Sequence, residues 1–279
     1  MRSRLNCVIA RESKRPKQSK KYDCLIIIQT LALTAAAIWL CGCISLYNPA
    51  TQRNEIYFID TKQEVAIGRN MDAEVSKKYP IIKDQQMQQR LDTIGEKIAR
   101  ASDRNDLQYN FKIIRDLEFN AFAIPGGFVY VNSGLIQAAT DDELACVLAH
   151  EVGHIAARHS VKRLQATLGY QILINIALAA TPAQMAVNKS IIAQAVDIAF
   201  NFTSLGYSRQ DEFLSDKLAI KYARKAGFDP NGMVSFFEKL KIEAEKKGPQ
   251  IKIPFLSSHP PVEERIKQGR KEIGLSNPK

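Results

Sequence analysis

The sequence predicts an α+β fold in which a small β-sheet lies beside a mostly helical body. Two features of the pattern lead to this prediction. Residues 109–132 hold short β-rich runs around a Pro-Gly-Gly turn, and the chain after Asn132-Ser133-Gly134 has helical spacing nearly to its end. With 279 residues, 46% of them hydrophobic, the chain is long enough to bury a core of its own.

Residues 1–42 are predicted to be a lipoprotein signal peptide. The stretch 1–22 holds eight basic side chains and one acidic side chain, and an apolar run of 16 residues, 25–40, follows. Such a run is short for a membrane span but suits a signal peptide. It ends in Leu40-Cys41-Gly42-Cys43, which resembles the lipobox of bacterial lipoproteins. The resemblance implies cleavage before Cys43 and lipid on that cysteine, and an uncleaved N-terminal anchor is the alternative.

The net charge of +10 belongs mainly to this leader. Without residues 1–42, 31 basic and 27 acidic side chains remain, so no nucleic-acid partner is predicted. Beyond Cys43 the chain holds one further cysteine, Cys146, so no disulfide framework is expected. We expect Cys146 to pack in the core.

Residues 43–62 are predicted to be a surface tether that leads into a domain over 63–273. The spacing of apolar residues predicts helices over 63–79 and 84–102, with a break at Tyr79-Pro80. Strands are then predicted over 109–114, 119–124 and 128–132.

The segment 164–207 is unusually apolar. Its first apolar run ends at Thr181-Pro182, and a second helical run follows around 191–200. Neither run is long enough to cross a bilayer. A buried helical hairpin is the preferred interpretation. The alternative is a hydrophobic wall or lid beside the active site, or a surface for lipid or unfolded substrate.

The chemistry of the chain centres on His150-Glu151-Val152-Gly153-His154, in a helix for which Asp141 is a plausible N-cap. The two histidines lie one turn apart on one helix face and can therefore bind one metal ion. Glu151 lies about 100° further round the helix and can reach a metal-bound water as the general base.

A zinc site needs a third protein ligand. His159 lies nine residues after the first histidine, but the metzincin pattern requires the tenth, which is Ser160, and a glycine where Ala157 stands. His159 is therefore interpreted as structural. Glu212 and Asp216 have helical i,i+4 spacing, so Glu212 can be the third ligand while Asp216 orients a ligating histidine.

These motifs resemble peptidase family M48 over about residues 47–270. The resemblance rests on Tyr47-Asn48-Pro49-Ala50-Thr51, Asn120-Ala121-Phe122-Ala123-Ile124-Pro125-Gly126-Gly127, the HExxH motif, Arg209-Gln210-Asp211-Glu212-Phe213-Leu214-Ser215-Asp216 and Ser258-His259-Pro260-Pro261. Ser215 stands where the family usually has alanine. The resemblance implies a zincin-like catalytic domain, one Zn²⁺ per chain and endopeptidase activity.

The resemblance also implies further roles and a location. His259 is implied to lie near the zinc, either to stabilise the oxyanion or to occupy the open coordination position. Independently of the resemblance, Arg265, six residues on, is expected to pair with a carboxylate nearby. Asp216 could also act as an acid. Unfolded or misassembled membrane and periplasmic proteins are the implied substrates. Because Ile44 follows the predicted lipidated cysteine, the outer membrane facing the periplasm is expected, and the inner membrane is the alternative. A zinc-stabilised chaperone and an exopeptidase are the competing functions.

Overall fold

The computed structural model describes residues 44–178, 207–247, 254–255, 259 and 262–275, and all structural statements concern these residues. The predicted signal peptide, the lipidated Cys43, the break at Thr181-Pro182 and the helical run around 191–200 lie outside them. Within the described part of the chain, no helix combines the length and the apolar character that crossing a bilayer requires.

The predicted fold class is confirmed, since helices dominate and the sheets are small. The helices are α1 (Thr61–Lys78), α2 (Gln85–Ala101), α3 (Ser133–Ala138), α4 (Asp141–Ala156), α5 (His159–Leu178), α6 (Arg209–Lys225), α7 (Asn231–Lys247) and α8 (Val262–Leu275). The strands are β1 (Ile44–Asn48), β2 (Arg53–Tyr57), β3 (Asn110–Ile114), β4 (Ala121–Ile124) and β5 (Phe128–Asn132).

The three-stranded sheet has the order β3-β5-β4, with β3 parallel and β4 antiparallel to β5. Gly126 and Gly127 form the β4–β5 turn with φ of 82° and 94°, a region that favours glycine. A Cβ on Gly68 of α1 would lie 2.0 Å from the carbonyl oxygen of Pro125 in this turn. Glycine at 68 therefore lets α1 pack closely against the turn. In the strand order of the sheet, β4 lies at an edge.

Helix α4 is the centre of the domain, because every side chain from Glu143 to Ala156 is buried. It packs against α2, α6, α7 and β4, and Cys146 lies in the core that these elements share. The N-cap is Thr140 rather than the predicted Asp141. The Thr140 hydroxyl accepts from the Glu143 amide and the Glu143 carboxylate accepts from the Thr140 amide, a reciprocal pair that Asp141 cannot form.

The predicted tether 43–62 contains the two-stranded sheet β1–β2. Its inner side chains pack on the helical body: Asn48 donates to the Ala156 carbonyl over 3.3 Å, and Tyr57 lies under the Arg158 guanidinium. Asn48 and Tyr57 are both buried. The hairpin is therefore held to the C-terminal end of α4 by specific polar contacts.

Candidate metal centre

Two helices and the chain just before a third bring four candidate ligands together. His150 and His154 lie on α4, Glu212 lies in the first turn of α6, and His259 precedes α8. One nitrogen or carboxylate oxygen from each residue lies within 4.8 Å of the others, and all four side chains are buried. The sequence-predicted ligand set therefore converges in space, and His259 joins it.

The individual distances show how tightly the donor atoms cluster. Nε2 of His150 lies 3.0 Å from Nε2 of His154 and 3.5 Å from Oε2 of Glu212. Oε1 of Glu212 lies 3.6 Å from Nε2 of His154 and 3.0 Å from Nδ1 of His259. Three imidazole nitrogens and a carboxylate oxygen therefore face a common point, and this is a donor set that Zn²⁺ binds in proteins.

Local sequence explains why Glu212 reaches this point. Helix α6 begins with Ser208 as N-cap, whose hydroxyl accepts from the Asp211 amide while the Asp211 carboxylate accepts from the Ser208 amide. This capping box fixes the first turn of α6. Gly153 on α4 lets the two helices come close, since a Cβ there would lie 3.2 Å from the Ser215 carbonyl oxygen.

Asp216 and Arg265 contact the edge of the His150 ring that faces away from the cluster of donor atoms. Oδ1 of Asp216 lies 2.9 Å from Nδ1 of His150, so the ring turns its Nε2 toward the cluster. Arg265, fully buried, donates to both Asp216 oxygens over 2.6 and 2.7 Å, and its Nη1 lies 3.2 Å from Oε2 of Glu212. The guanidinium thus offsets the charge of two buried carboxylates. This geometry fits the orienting role predicted for Asp216.

His159, predicted to be structural, contacts the edge of the His154 ring that faces away from the cluster of donor atoms. The two Nδ1 atoms lie 2.9 Å apart, and Nε2 of His159 lies 3.3 Å from Oδ1 of Asp211. With the His154 Nε2 lone pair directed at the cluster, its Nδ1–H donates to His159, whose Nε2–H then faces Asp211. Tyr207 stacks on the His154 ring with centroids 3.9 Å apart. These contacts to His154 could not be predicted from the local sequence, since they join three separate segments of the chain.

Glu151 projects into the same space without a fixed partner. Among the described residues, its Oε1 is buried and accepts no hydrogen bond, although Nε2 of His259 lies 3.6 Å away. Buried carboxylate oxygens are normally satisfied, so an unpaired one beside a cluster of donor atoms fits a catalytic role. The four donors and this free oxygen together fit a metal site with an adjacent general base.

The electrostatics of the cluster differ from group to group. Burial raises the pKa of Glu212, but His259, His150 and His154 outweigh burial and lower it overall, so this carboxylate is ionised. Burial and the neighbouring His150 lower the pKa of His154 well below its usual value, so this ring is neutral. Burial raises the pKa of Glu151. An ionised carboxylate and a neutral imidazole are the protonation states that a metal ion requires. Burial lowers the pKa of His150, but its hydrogen bonds to Asp216 and Glu212 outweigh burial and raise the pKa to about 9, so metal binding has to displace a proton from this ring.

Comparison with known proteins agrees with this chemistry. Residues 85–273 match the profile of Peptidase family M48. The chain is 32% identical over 204 residues to a putative beta-barrel assembly-enhancing protease of Vibrio cholerae serotype O1, covering 68% of this chain and 40% of that protein. It is 27% identical over 227 residues to the beta-barrel assembly-enhancing protease of Escherichia coli K12, covering 77% of this chain and 45% of that protein.

A shorter relative is covered more fully. The chain is 32% identical over 179 residues to the metalloprotease YcaL of Escherichia coli K12, covering 63% of this chain and 68% of YcaL. The chain thus spans less than half the length of the two assembly-enhancing proteases and about two thirds of YcaL.

Proposed function

Because this chain belongs to peptidase family M48, we propose that it is a zinc-dependent metalloendopeptidase. The observation that carries the proposal is the convergence of His150, His154 and Glu212 from two helices, with their donor atoms and one from His259 within 4.8 Å of one another. In this proposal the first three residues hold one Zn²⁺ per chain. When bound, zinc lowers the pKa of a water to about 7 and polarises the scissile carbonyl.

Glu151 is the general base. Its unpaired Oε1 accepts a proton from the attacking water as the new C–O bond forms at the carbonyl carbon. The same carboxyl group returns the proton to the peptide nitrogen as the C–N bond breaks, so the products are an acid and an amine. Asp216 keeps the His150 ring in one orientation, and Arg265 keeps Asp216 ionised and in place.

For His259 the sequence left two roles open. Its Nδ1 lies among the donor atoms, 3.0 Å from Glu212 and 3.3 Å from Nε2 of His150, which favours occupation of the fourth coordination position over oxyanion stabilisation. A catalytic zinc keeps that position for water. If His259 held that position, it would have to move away before hydrolysis, and His259→Ala is therefore expected to lower zinc affinity and raise casein cleavage. A variant with unchanged affinity and activity would exclude both roles.

Substrate recognition is assigned to the edge strand β4. It lies at the side of the sheet and packs on α4, which carries the HExxH motif. An extended peptide can pair with such an edge through main-chain hydrogen bonds, and this mode suits broad specificity for unfolded chains. The names of two relatives refer to beta-barrel assembly, which supports unfolded or misassembled membrane and periplasmic proteins as substrates. Lipid on Cys43 would anchor the protein to the outer membrane on its periplasmic side.

Cleavage of casein by the full chain tests the proposal. We expect internal fragments and one zinc per chain, and Glu151→Gln should abolish cleavage while the zinc content stays the same. Glu96→Gln, at an exposed helical position that pairs with Arg100, is the matched control and should cleave at the wild-type rate.

The other outcomes separate the competing functions. Terminal trimming would indicate an exopeptidase, and binding of unfolded protein without cleavage would indicate a chaperone. Wild-type cleavage by Glu151→Gln would refute the assignment of the general base.

A further inference from the structure

Large apolar side chains are concentrated on the surface of one short segment. Among the described residues, six are exposed: Leu46 by 49%, Tyr47 by 56%, Ile56 by 67%, Phe58 by 40%, Leu117 by 79% and Ile242 by 52%. The first four belong to the β1–β2 hairpin or the residue after it, and we call Tyr47, Ile56 and Phe58 the hairpin surface. We propose that the hairpin surface docks onto an anionic phospholipid bilayer.

The pleat of the hairpin explains the outward position of these side chains. Asn48, Glu55 and Tyr57 face the helical body, where Nζ of Lys162 on α5 lies 2.6 Å from Glu55. Successive side chains of a strand point to opposite faces. The face opposite these polar anchors therefore carries Tyr47 and Ile56, and Phe58 continues the same alternation. A polar outer face would be expected if water were its only neighbour.

The composition of the hairpin surface suits the edge of a bilayer. Tyrosine has an apolar ring and a polar hydroxyl, and it is enriched where hydrocarbon meets headgroups. Ile56 and Phe58 supply apolar area around it. The surface is short and is presented by a hairpin, which can enter the interface without crossing the bilayer.

A basic groove lies next to the hairpin turn. The turn 49–52 forms one wall of a groove of about 530 Å³, and α6 forms the other. The charged residues that line the groove are four cationic residues and one acidic residue: Lys217, Lys221, Arg224, Lys225 and Glu272. Apolar residues of α6 line it as well, and Lys221 pairs with Asp103 over 2.8 Å. Arg53, at the start of β2, is also exposed. Cations within a Debye length of a membrane attract anionic headgroups, so the groove complements phospholipid rather than a basic protein.

The position of the hairpin along the chain supports the same occupant. Cys43, the residue proposed to carry lipid, lies three residues before Leu46, and three residues of chain span at most about 11 Å. A lipid anchor would therefore deliver the hairpin surface to the bilayer at high effective concentration. The inference rests on the proposed anchor. Because the hairpin is bonded to the end of α4, docking would also fix the orientation of the metal centre relative to the membrane.

Depth-dependent fluorescence quenching tests the inference. In the full chain with Trp39→Phe, a single tryptophan is introduced by Ile56→Trp or by Tyr47→Trp, and the protein is reconstituted into vesicles that contain phosphatidylglycerol. Lipids brominated near the headgroup should quench either tryptophan about twofold or more above controls, since interfacial segments sit at the headgroup–acyl boundary. Leu117→Trp and Ile242→Trp are matched controls, because both replace exposed apolar residues elsewhere. Quenching at 56 and 47 no greater than in these controls would overturn the proposal.

Charge variants test the groove separately. Lys217→Gln and Lys221→Gln should each weaken the phosphatidylglycerol-dependent part of the quenching, by up to about fivefold in apparent affinity per cation near the surface. Lys77→Gln, a comparably exposed lysine on α1, should have no effect. Equal quenching in vesicles without anionic lipid would overturn the role of the groove. Casein cleavage by the same samples shows that each variant is folded. If the wild-type protein did not cleave casein, that result would count against the proposed peptidase function and not against membrane docking.

Discussion

Glu64 on α1 is a buried carboxylate that faces two guanidinium groups. Its Oε2 lies 2.8 Å from Arg158 and 3.4 Å from Arg104, and the side chains of Glu64, Arg158 and Arg104 are exposed by 1%, 4% and 10%. Glu64→Gln would leave the Arg158 charge without its carboxylate. Removing one partner of a buried ion pair costs about 3–5 kcal/mol. Because Asp106 still pairs with Arg104 over 3.1 Å, we expect the lower end, about 3 kcal/mol.

Urea denaturation followed by circular dichroism measures this loss, and the thermal midpoint should fall by about 6–12 °C for a domain of this size. Glu74→Gln on the same helix is the control, because Glu74 pairs with Lys77 at the surface, with side chains exposed by 52% and 72%. The control should change stability by less than about 0.5 kcal/mol. If Glu64→Gln lowered the free energy of unfolding no more than the control does, the carboxylate would not be needed to hold Arg158, and the reasoning would be wrong.

Three further outcomes are expected. Gly68→Ala places a Cβ 2.0 Å from the Pro125 carbonyl oxygen and should cost about 1–3 kcal/mol in a thermal melt; an unchanged midpoint would contradict the close approach. Burial raises the pKa of Glu143, but hydrogen bonds from Lys239 and the helix cap lower it below its usual 4.5. Its stabilisation is therefore present above pH 4.5 and lost as pH falls through the lowered pKa. Urea curves of wild type and Glu143→Gln should converge in acid, and a constant gap would refute this. His159→Leu should weaken zinc binding about 10–100-fold in a chelator competition, and His159→Asn, which keeps an acceptor near Nδ1, should weaken it less; equal losses would argue against the hydrogen bond.

The parts of the site that depend on local spacing could be predicted from the sequence. His150, Glu151 and His154 lie within two turns of one helix, so their mutual positions follow from helical geometry alone. Arg265 could be expected to pair with a carboxylate, but its burial between Asp216 and Glu212 depends on how α8 docks against α6. Such docking involves residues far apart in sequence, and no local pattern records it.

The hairpin shows a second reason for failure. Residues 43–62 were expected to be a tether because Asn48-Pro49 and Asp60-Thr61 favour turns. Their inner positions are polar, so they lack the alternating apolar residues by which strands are recognised. Asn48 and Glu55 are satisfied by hydrogen bonds within the hairpin and to the helical body, so polar residues occupy inner positions of real strands. The N-cap of α4 was predicted wrongly for a different reason. A capping box has a threonine followed three residues later by a glutamate, and Thr140 and Glu143 have this spacing in the sequence itself.

Arg265 joins the metal centre late in synthesis, because it lies on α8. The HExxH helix precedes α8 by more than a hundred residues, so during synthesis it leaves the ribosome well before the guanidinium does. Until α8 docks, Asp216 and Glu212 lack their counter-charge and His150 lacks its fixed orientation. In a nascent chain the metal centre therefore stays incomplete until α8 has folded against α6, so the proposed hydrolysis could not begin before that point.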